Sequence, residues 1–306
     1  MKKGLFAWIL LPACAAILFG VLPASLPAQQ AQKLKVYISV DMEGISGVVH
    51  ADQTTPGAPG YEAARRWMAE DANAAVEGAL RAGAVEVVVN DSHGDMRNID
   101  PGALHPRAVL ISGSPKPQSM MQGIDGSYSA VLLVGYHAAA GTQDAILDHT
   151  ISGGRVQSIR VNGTELPELG LNAAVAGEYD VPVVFVSGDV AVCRQAKTIL
   201  GGEIVTAPVK DGIGRTAARL VPFASARAGI RDRVTEALRK LAKFKPYKIA
   251  PPCNFELQFY TSSQADMAMY MPSVQRVNAR TVSFTSEDYL QGFKMLRGLI
   301  ALAPPR

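Results

Sequence analysis

The chain has 306 residues, 30 Lys and Arg against 27 Asp and Glu, and a formal net charge of +3. That length suits one large domain or two. A charge so near balance gives no electrostatic case for nucleic acid or an anionic surface as partner. In chain order, Lys2 and Lys3 precede an apolar run from Gly4 to about Leu22, then Leu26-Pro27-Ala28. This is the anatomy of a secretory signal peptide over residues 1–28, with a retained membrane anchor as the alternative. Removing it takes two lysines and leaves a net charge of +1. Beyond it no apolar run reaches the ~18 residues of a membrane span. Cys14 leaves with the signal. Cys193 and Cys253 remain, too few for a disulfide framework, and whether they pair stays open.

The fold begins with an apolar strand from Lys35 to Val40 and a loop from Ile45 to Gly60. Tyr61 to Ala82 has helical spacing and ends at Gly83 as a C-cap. Val85 to Asn90 is a nearly unbroken apolar strand, so the first three elements form a βαβ unit around a buried parallel sheet. Val109 to Ile111 and Ala130 to Val134 read as strands, and Ser119 to Gly123 as a short helix or turn. Arg155 to Leu166 reads as a hairpin turning at Asn162-Gly163. Pro167 starts a helix through Gly177, Val181 to Val186 is a fifth core strand, and Ala191 to Leu200 is a helix. After Gly201 the pattern changes. Thr216 to Leu220 and Arg227 to Phe244 read as amphipathic helices, Phe255 to Tyr260 and Thr281 to Thr285 as strands. Ser286 or Thr285 caps a last helix that runs to about Leu302, with Thr285 and Asp288 at capping-box spacing. The expectation is an α/β three-layer sandwich with a mainly parallel sheet over residues 33–205, and a smaller α+β domain over 206–306.

Metal-ligand side chains recur where these strands run out. Asp41 and Glu43 are two apart and face one side in extended backbone. Singly, such a pair is most often a turn Asp and a solvated Glu. His93 in Asn90-Asp91-Ser92-His93 and His137 in Gly135-Tyr136-His137 would singly be capping or core histidines. The chain has only five histidines. Two of them and the carboxylate pair fall at the carboxyl ends of parallel strands, where open α/β sheets bind ligands. Mixed His and carboxylate donors suit zinc, with manganese or cobalt possible. Four or five donors exceed the three of one catalytic zinc, so two metals sharing Asp41 follow, and two-metal sites serve hydrolysis. Asp91 and Asp189 are candidates to orient a ligand histidine, and the loop Val48 to Gly60 to line a substrate pocket.

Ser39-Val40-Asp41-Met42-Glu43-Gly44, Asn90-Asp91-Ser92-His93, Gly135-Tyr136-His137-Ala138 and Glu168-Leu169-Gly170-Leu171-Asn172-Ala173 resemble, in order and spacing, the bacterial zinc D-aminopeptidases of the dipeptide-transport-operon type. The likeness runs from about Lys35 to Asp189 and continues more weakly beyond. It implies two zinc ions per subunit, with Asp41 bridging, Glu43 and His137 completing one ligand set, and His93 and Glu168 the other. It also implies a catalytic role for His149, as a nucleophile in descriptions of the family. General acid/base work is the better physical reading, because hydroxide generated at the metals is the stronger attacker. Asp148 and Thr150 stand where the family pattern has serines. By resemblance the protein is an exported, periplasmic aminopeptidase acting on short peptides, with D-Ala among its substrates, and assembles as a ring-like homo-oligomer. The alternatives are a two-metal phosphoesterase, which needs an Arg or Lys at the metals (Arg97 and Arg155 are nearest in sequence), and a solute-binding protein of two similar α/β lobes.

Overall fold

A computed structural model describes residues 33–305 together with Met1, Lys3, Gly4 and Trp8. The signal-peptide reading therefore falls outside the described residues. Residues from Lys33 onward form one compact unit.

Seven strands make the main sheet: β1 (Lys35–Val40), β2 (Glu86–Asp91), β3 (Ala108–Ile111), β4 (Ala130–Tyr136), β7 (Val183–Asp189), β8 (Val205–Gly214) and β9 (Ala217–Leu220), in the order β3-β2-β1-β4-β7-β8-β9. All neighbours are parallel except β8 and β9. The inner strands are buried along nearly their whole length, which is why they read as unbroken apolar runs. Their side chains alternate between two cores. Val36, Ile38 and Val40 meet helices α1 (Tyr61–Arg81) and α4 (Phe223–Arg239), whereas Tyr37, Val131 and Leu133 meet α2 (Glu168–Glu178) and α3 (Val190–Leu200). Helix, sheet, helix is the expected three-layer arrangement.

A second, antiparallel sheet has the order β11-β12-β10-β5-β6, from β5 (Val156–Val161), β6 (Thr164–Glu165), β10 (Cys253–Phe259), β11 (Gln275–Asn278) and β12 (Thr281–Ser286). Its inward side chains, Phe255, Leu257 and Phe259, share a core with α2, α5 (Ser262–Ala268) and α6 (Tyr289–Leu302). Asn162 and Gly163 join β5 to β6 with φ of 50° and 78°, the two left-handed residues of a type I′ turn.

The sheets do not divide at residue 205. The β5–β6 hairpin leaves the first half of the chain to join the C-terminal strands, and β8, β9 and α4 extend the parallel layer from the second half. Thr216 to Leu220 is not a helix: β9 pairs with β8 from Lys210↔Leu220, and a segment this short gains more by completing an edge than by one isolated turn. The last helix is capped by Asp288 itself, which accepts from the Gln291 N–H at 2.8 Å, not by Ser286 or Thr285. Cys193 and Cys253 are both free and buried.

The strand order places β1 between β2 and β4, where the chain reverses its direction of progression across the sheet. This is the topological switch point, and it fixes where the carboxyl ends gather. Register aligns them: Val40 sits opposite Asp91 on one side and Val134 on the other.

Candidate active site

The segment after β1 is held by its neighbours before any ligand is considered. Its carbonyls and N–H groups cross to both adjacent strands: Asp41 N–H donates to the Val134 carbonyl, and Ser92 N–H to the Val40 carbonyl, each at 2.8 Å. Gly44 N–H donates to the Gly135 carbonyl at 2.8 Å. The two glycines interlock. A β-carbon on Gly44 would collide with the Tyr136 carbonyl, and one on Gly135 with the Asp41 carbonyl. That is the physical reason for a glycine in each motif. Below them Ser39 Oγ is hydrogen-bonded to Ser92 Oγ at 2.7 Å and Tyr136 Oη at 2.8 Å, and Asn172 Nδ2 donates to Tyr136 Oη at 3.0 Å. This buried network ties three strand ends and α2 together.

Lys210, on β8 and 1% exposed, clamps the same segment from above. Its ammonium donates to the carbonyls of Glu43 at 2.5 Å, Ile45 at 2.9 Å and Val48 at 2.5 Å. Burial pushes its pKa down to about 7. Three carbonyl acceptors require three N–H donors, which only the charged form has, so the charged form is the one this geometry holds. No motif spacing announces this residue.

All five expected ligands and His149 come together. His93 Nδ1 lies 3.0 Å from Glu43 Oε2 and 3.3 Å from Asp41 Oδ1. His137 Nε2 lies 3.2 Å from Glu168 Oε1 and 3.4 Å from Asp41 Oδ2. His149 Nε2 is 3.5 Å from Glu168 Oε1, and its ring stacks on His137 with centroids 3.8 Å apart. Asp41, Glu43 and His137 offer ligand atoms within 4.8 Å of one another, as one expected set requires. The second such cluster is His137, His149 and Glu168, so Glu168 has His149 closer to it than the expected His93.

Tautomers can be read from the far side of each ring. His93 Nε2 meets the Thr54 carbonyl at 2.9 Å, His137 Nδ1 the Ala138 carbonyl at 3.1 Å, and His149 Nδ1 the Leu147 carbonyl at 2.9 Å. A carbonyl only accepts, so each of these nitrogens carries a proton. The other nitrogen of each ring then faces carboxylates with a lone pair, unless something positive lies between. His137 Nε2 is buried without a hydrogen-bond partner. A second proton or a metal ion resolves this arrangement, and outer N–H bonds to carbonyls are how metal-binding histidines are held. The residues fit a divalent cation.

The electrostatics agree. Burial, and then Glu43 beside it, pushes Asp41 up to about 7. Burial acts to raise Glu43 too, but the imidazole of His93 holds it well below the carboxylate range. Burial alone would lower His137, yet Glu168 and Asp41 raise it to about 10. His93 is likewise raised against its burial by Glu43 and Asp41. His149 differs: burial and the neighbouring His137 lower it. It is the neutral, proton-accepting imidazole of the group.

The loop carrying His149 is strained where it serves the site. Leu147 and Ile151 have φ of 51° and 60°, a conformation that costs about 1–3 kcal/mol for a non-glycine residue. Leu147 turns its carbonyl to His149 Nδ1, and Ile151 its N–H to Glu168 Oε1 at 2.6 Å. Asp148 faces away, accepting from Gly141 N–H at 2.6 Å and pairing with Arg215 at 3.2 Å. Thr150 Oγ1 accepts from Ala140 N–H at 3.4 Å. Neither neighbour of His149 bonds its ring. Asp91 and Asp189 do not orient a ligand imidazole either. Asp91 accepts from the N–H groups of Asn98 and Ile99, and Asp189 from those of Val192 and Ile146, so both anchor loops. The loop Val48 to Gly60 does reach the site, through Thr54.

A cleft of about 150 Å³ opens beside these groups and is lined by Asp41, His93, His149, Glu168 and Arg297. Arg97 pairs with the exposed Asp95, and Arg155 donates to the Ala303 carbonyl. The cation at the site is Arg297 on α6, far from every motif in sequence.

The peptidase M55 family model, described as D-aminopeptidase, matches residues 34–298. D-aminopeptidase of Bacillus subtilis (strain 168) is 37% identical over 273 residues, covering 88% of this chain and 98% of that protein. The solved structure of the zinc-dependent D-aminopeptidase DppA from Bacillus subtilis, a self-compartmentalizing protease, superposes with a TM-score of 0.85 at 36% identity, over 88% of this chain and 97% of that one. The chain belongs to the M55 D-aminopeptidase family and is a metallopeptidase of that type.

Proposed function

We propose that the protein is an exported two-zinc aminopeptidase that releases N-terminal D-amino acids, D-alanine among them, from short peptides. The observation that carries this reading is the convergence of Asp41, Glu43, His93, His137 and Glu168, with His93 against Asp41 and Glu43 and the orphaned His137 Nε2 among Asp41, Glu43 and Glu168. The zinc dependence of the solved relative supports the choice of metal. Those five residues would hold the ions, Asp41 serving both. When bound, such ions polarise a scissile carbonyl and acidify water near neutral pH.

This chain's own residues do the rest. His149 keeps Nδ1 committed to Leu147, which aims Nε2 into the cleft. Its lowered pKa leaves it neutral and able to take a proton from the attacking water, then return it to the departing amine. Lys210 and the interlocked glycines fix the Asp41–Glu43 segment so that the carboxylates do not have to reorganise. Glu168, held by Ile151 N–H, stays in one orientation beside both His137 and His149.

We extend the reading to export and assembly. Lys2, Lys3 and the apolar run after them support export. The relative's self-compartmentalizing character supports a homo-oligomer. Among the described residues no helix is long and apolar enough to cross a membrane. Arg297 is the observation that gives a two-metal phosphoesterase standing as a second reading.

The test is a panel of D-Ala-D-Ala, L-Ala-L-Ala and p-nitrophenyl phosphate, assayed with zinc or manganese. Metal-dependent cleavage of the D-peptide above the other two is expected. Protein inert toward peptides in either metal, or active only on the phosphoester, would falsify the reading.

A further inference from the structure

Arg297 has a position and no partner. It lies on α6, part-buried, and its guanidinium forms no hydrogen bond or ion pair with any described residue. It lines the same cleft as Asp41, His149 and Glu168. Burial weakens its hold on its proton, and Glu168 is the charge that acts against this. Its nitrogens reach the open cleft instead of being sealed from water, so an unpaired and only partly hydrated guanidinium faces any ligand there. Glu168 already accepts from Ile151 N–H and faces two histidines, and it forms no ion pair with Arg297. A planar guanidinium matches a carboxylate bidentately. The cleft, about 150 Å³, falls below the ~300–1,000 Å³ of sites for drug-sized ligands.

Building on the aminopeptidase reading, we propose that Arg297 binds the free C-terminal carboxylate of the substrate, which makes the site selective for very short peptide acids. A peptide acid carries one such group at a fixed span from its scissile bond. Each added residue moves it about 3.3–3.6 Å further along an extended chain, away from a guanidinium fixed on α6. Amidation removes the charge while leaving the scissile bond and the N-terminus unchanged. Long peptides and peptide amides are therefore poor substrates for the same reason.

The experiment compares kcat/KM for D-Ala-D-Ala and its C-terminal amide in zinc-loaded wild type, Arg297→Gln and Arg297→Lys. Wild type is expected to prefer the acid by about 10- to 100-fold, the range of a charge-assisted hydrogen-bonded pair. That preference should sit mainly in KM. In Arg297→Gln the ratio should fall to near one, and Arg297→Lys should restore part of it. The ratio is internal to each protein, so partial misfolding or metal loss divides out. Calorimetry in a His149→Ala background gives a second readout, in which Arg297→Gln should weaken binding of the acid and leave the amide unchanged. An acid-to-amide ratio that Arg297→Gln leaves intact overturns the inference while the peptidase reading stands. Wild type that cleaves neither peptide defeats the peptidase reading itself.

Discussion

The two sheets contribute to the site in different ways. The parallel sheet delivers its donors at strand ends: Asp41 and Glu43 after β1, His93 after β2, His137 after β4. All sit on one edge because parallel strands share a direction, and the switch point at β1 concentrates them. The antiparallel sheet delivers nothing from a strand end. Its contribution is peripheral: the strained loop with His149 and Ile151 leads into β5, and Arg297 projects from α6 behind it. The first region holds charge at fixed points, and the second borders those points with His149, Ile151 and Arg297. If that division is right, damage to the first should remove metal and activity together, whereas damage to the second should spare the metal.

The largest effect is expected from His93→Ala. It should abolish bound metal and activity in step, with a loss well beyond the roughly 10- to 100-fold typical of outer-sphere changes, read by metal analysis beside peptide hydrolysis. His149→Ala tests the other side. Metal content should stay at the wild-type level while kcat falls about 10²- to 10⁴-fold, the usual share of a general base. Normal turnover by this variant would end the role assigned to His149, and loss of metal would make it a ligand, as its nearness to Glu168 and His137 allows.

Lys210→Met should separate positioning from ligation. Three buried carbonyls lose their donor, which should lower unfolding stability by about 3 kcal/mol and weaken metal binding, although Lys210 offers no ligand. Denaturant melts with and without zinc measure both, and a variant as stable as wild type would contradict the clamp. The smallest effect belongs to Gly163→Ala in the β5–β6 turn. Its φ of 78° should make it cost about 1–2 kcal/mol, with metal content unchanged. A matching loss of metal there would break the comparison.

The same division explains what the sequence exposed. Strand-end donors are local: a β-branched run stops and a ligand follows within a few residues, so Asp41, Glu43, His93 and His137 were legible. Glu168 was not, since an acid in a helix's first turn is ordinary, and only the family pattern singled it out. Lys210 and Arg297 act across the fold, and nothing in their neighbourhoods marks them. The continuation of the main sheet past residue 205 was hidden for a related reason. The local pattern changes after Gly201, whereas β8 and α4 join the first layer through contacts that no window of sequence contains. Thr216 to Leu220 was similarly too short for periodicity to separate helix from edge strand.

In the proposed site Asp41, Glu43, His93 and His137 at strand ends and Glu168 on α2 together hold two zinc ions. The most direct measurement strips the protein with a chelator, titrates zinc back, and follows D-Ala-D-Ala hydrolysis against bound zinc. An inactive metal-free protein and full activity at two zinc ions per chain are expected. Activity that survives complete metal removal, or that saturates at one ion, would contradict the two-zinc site.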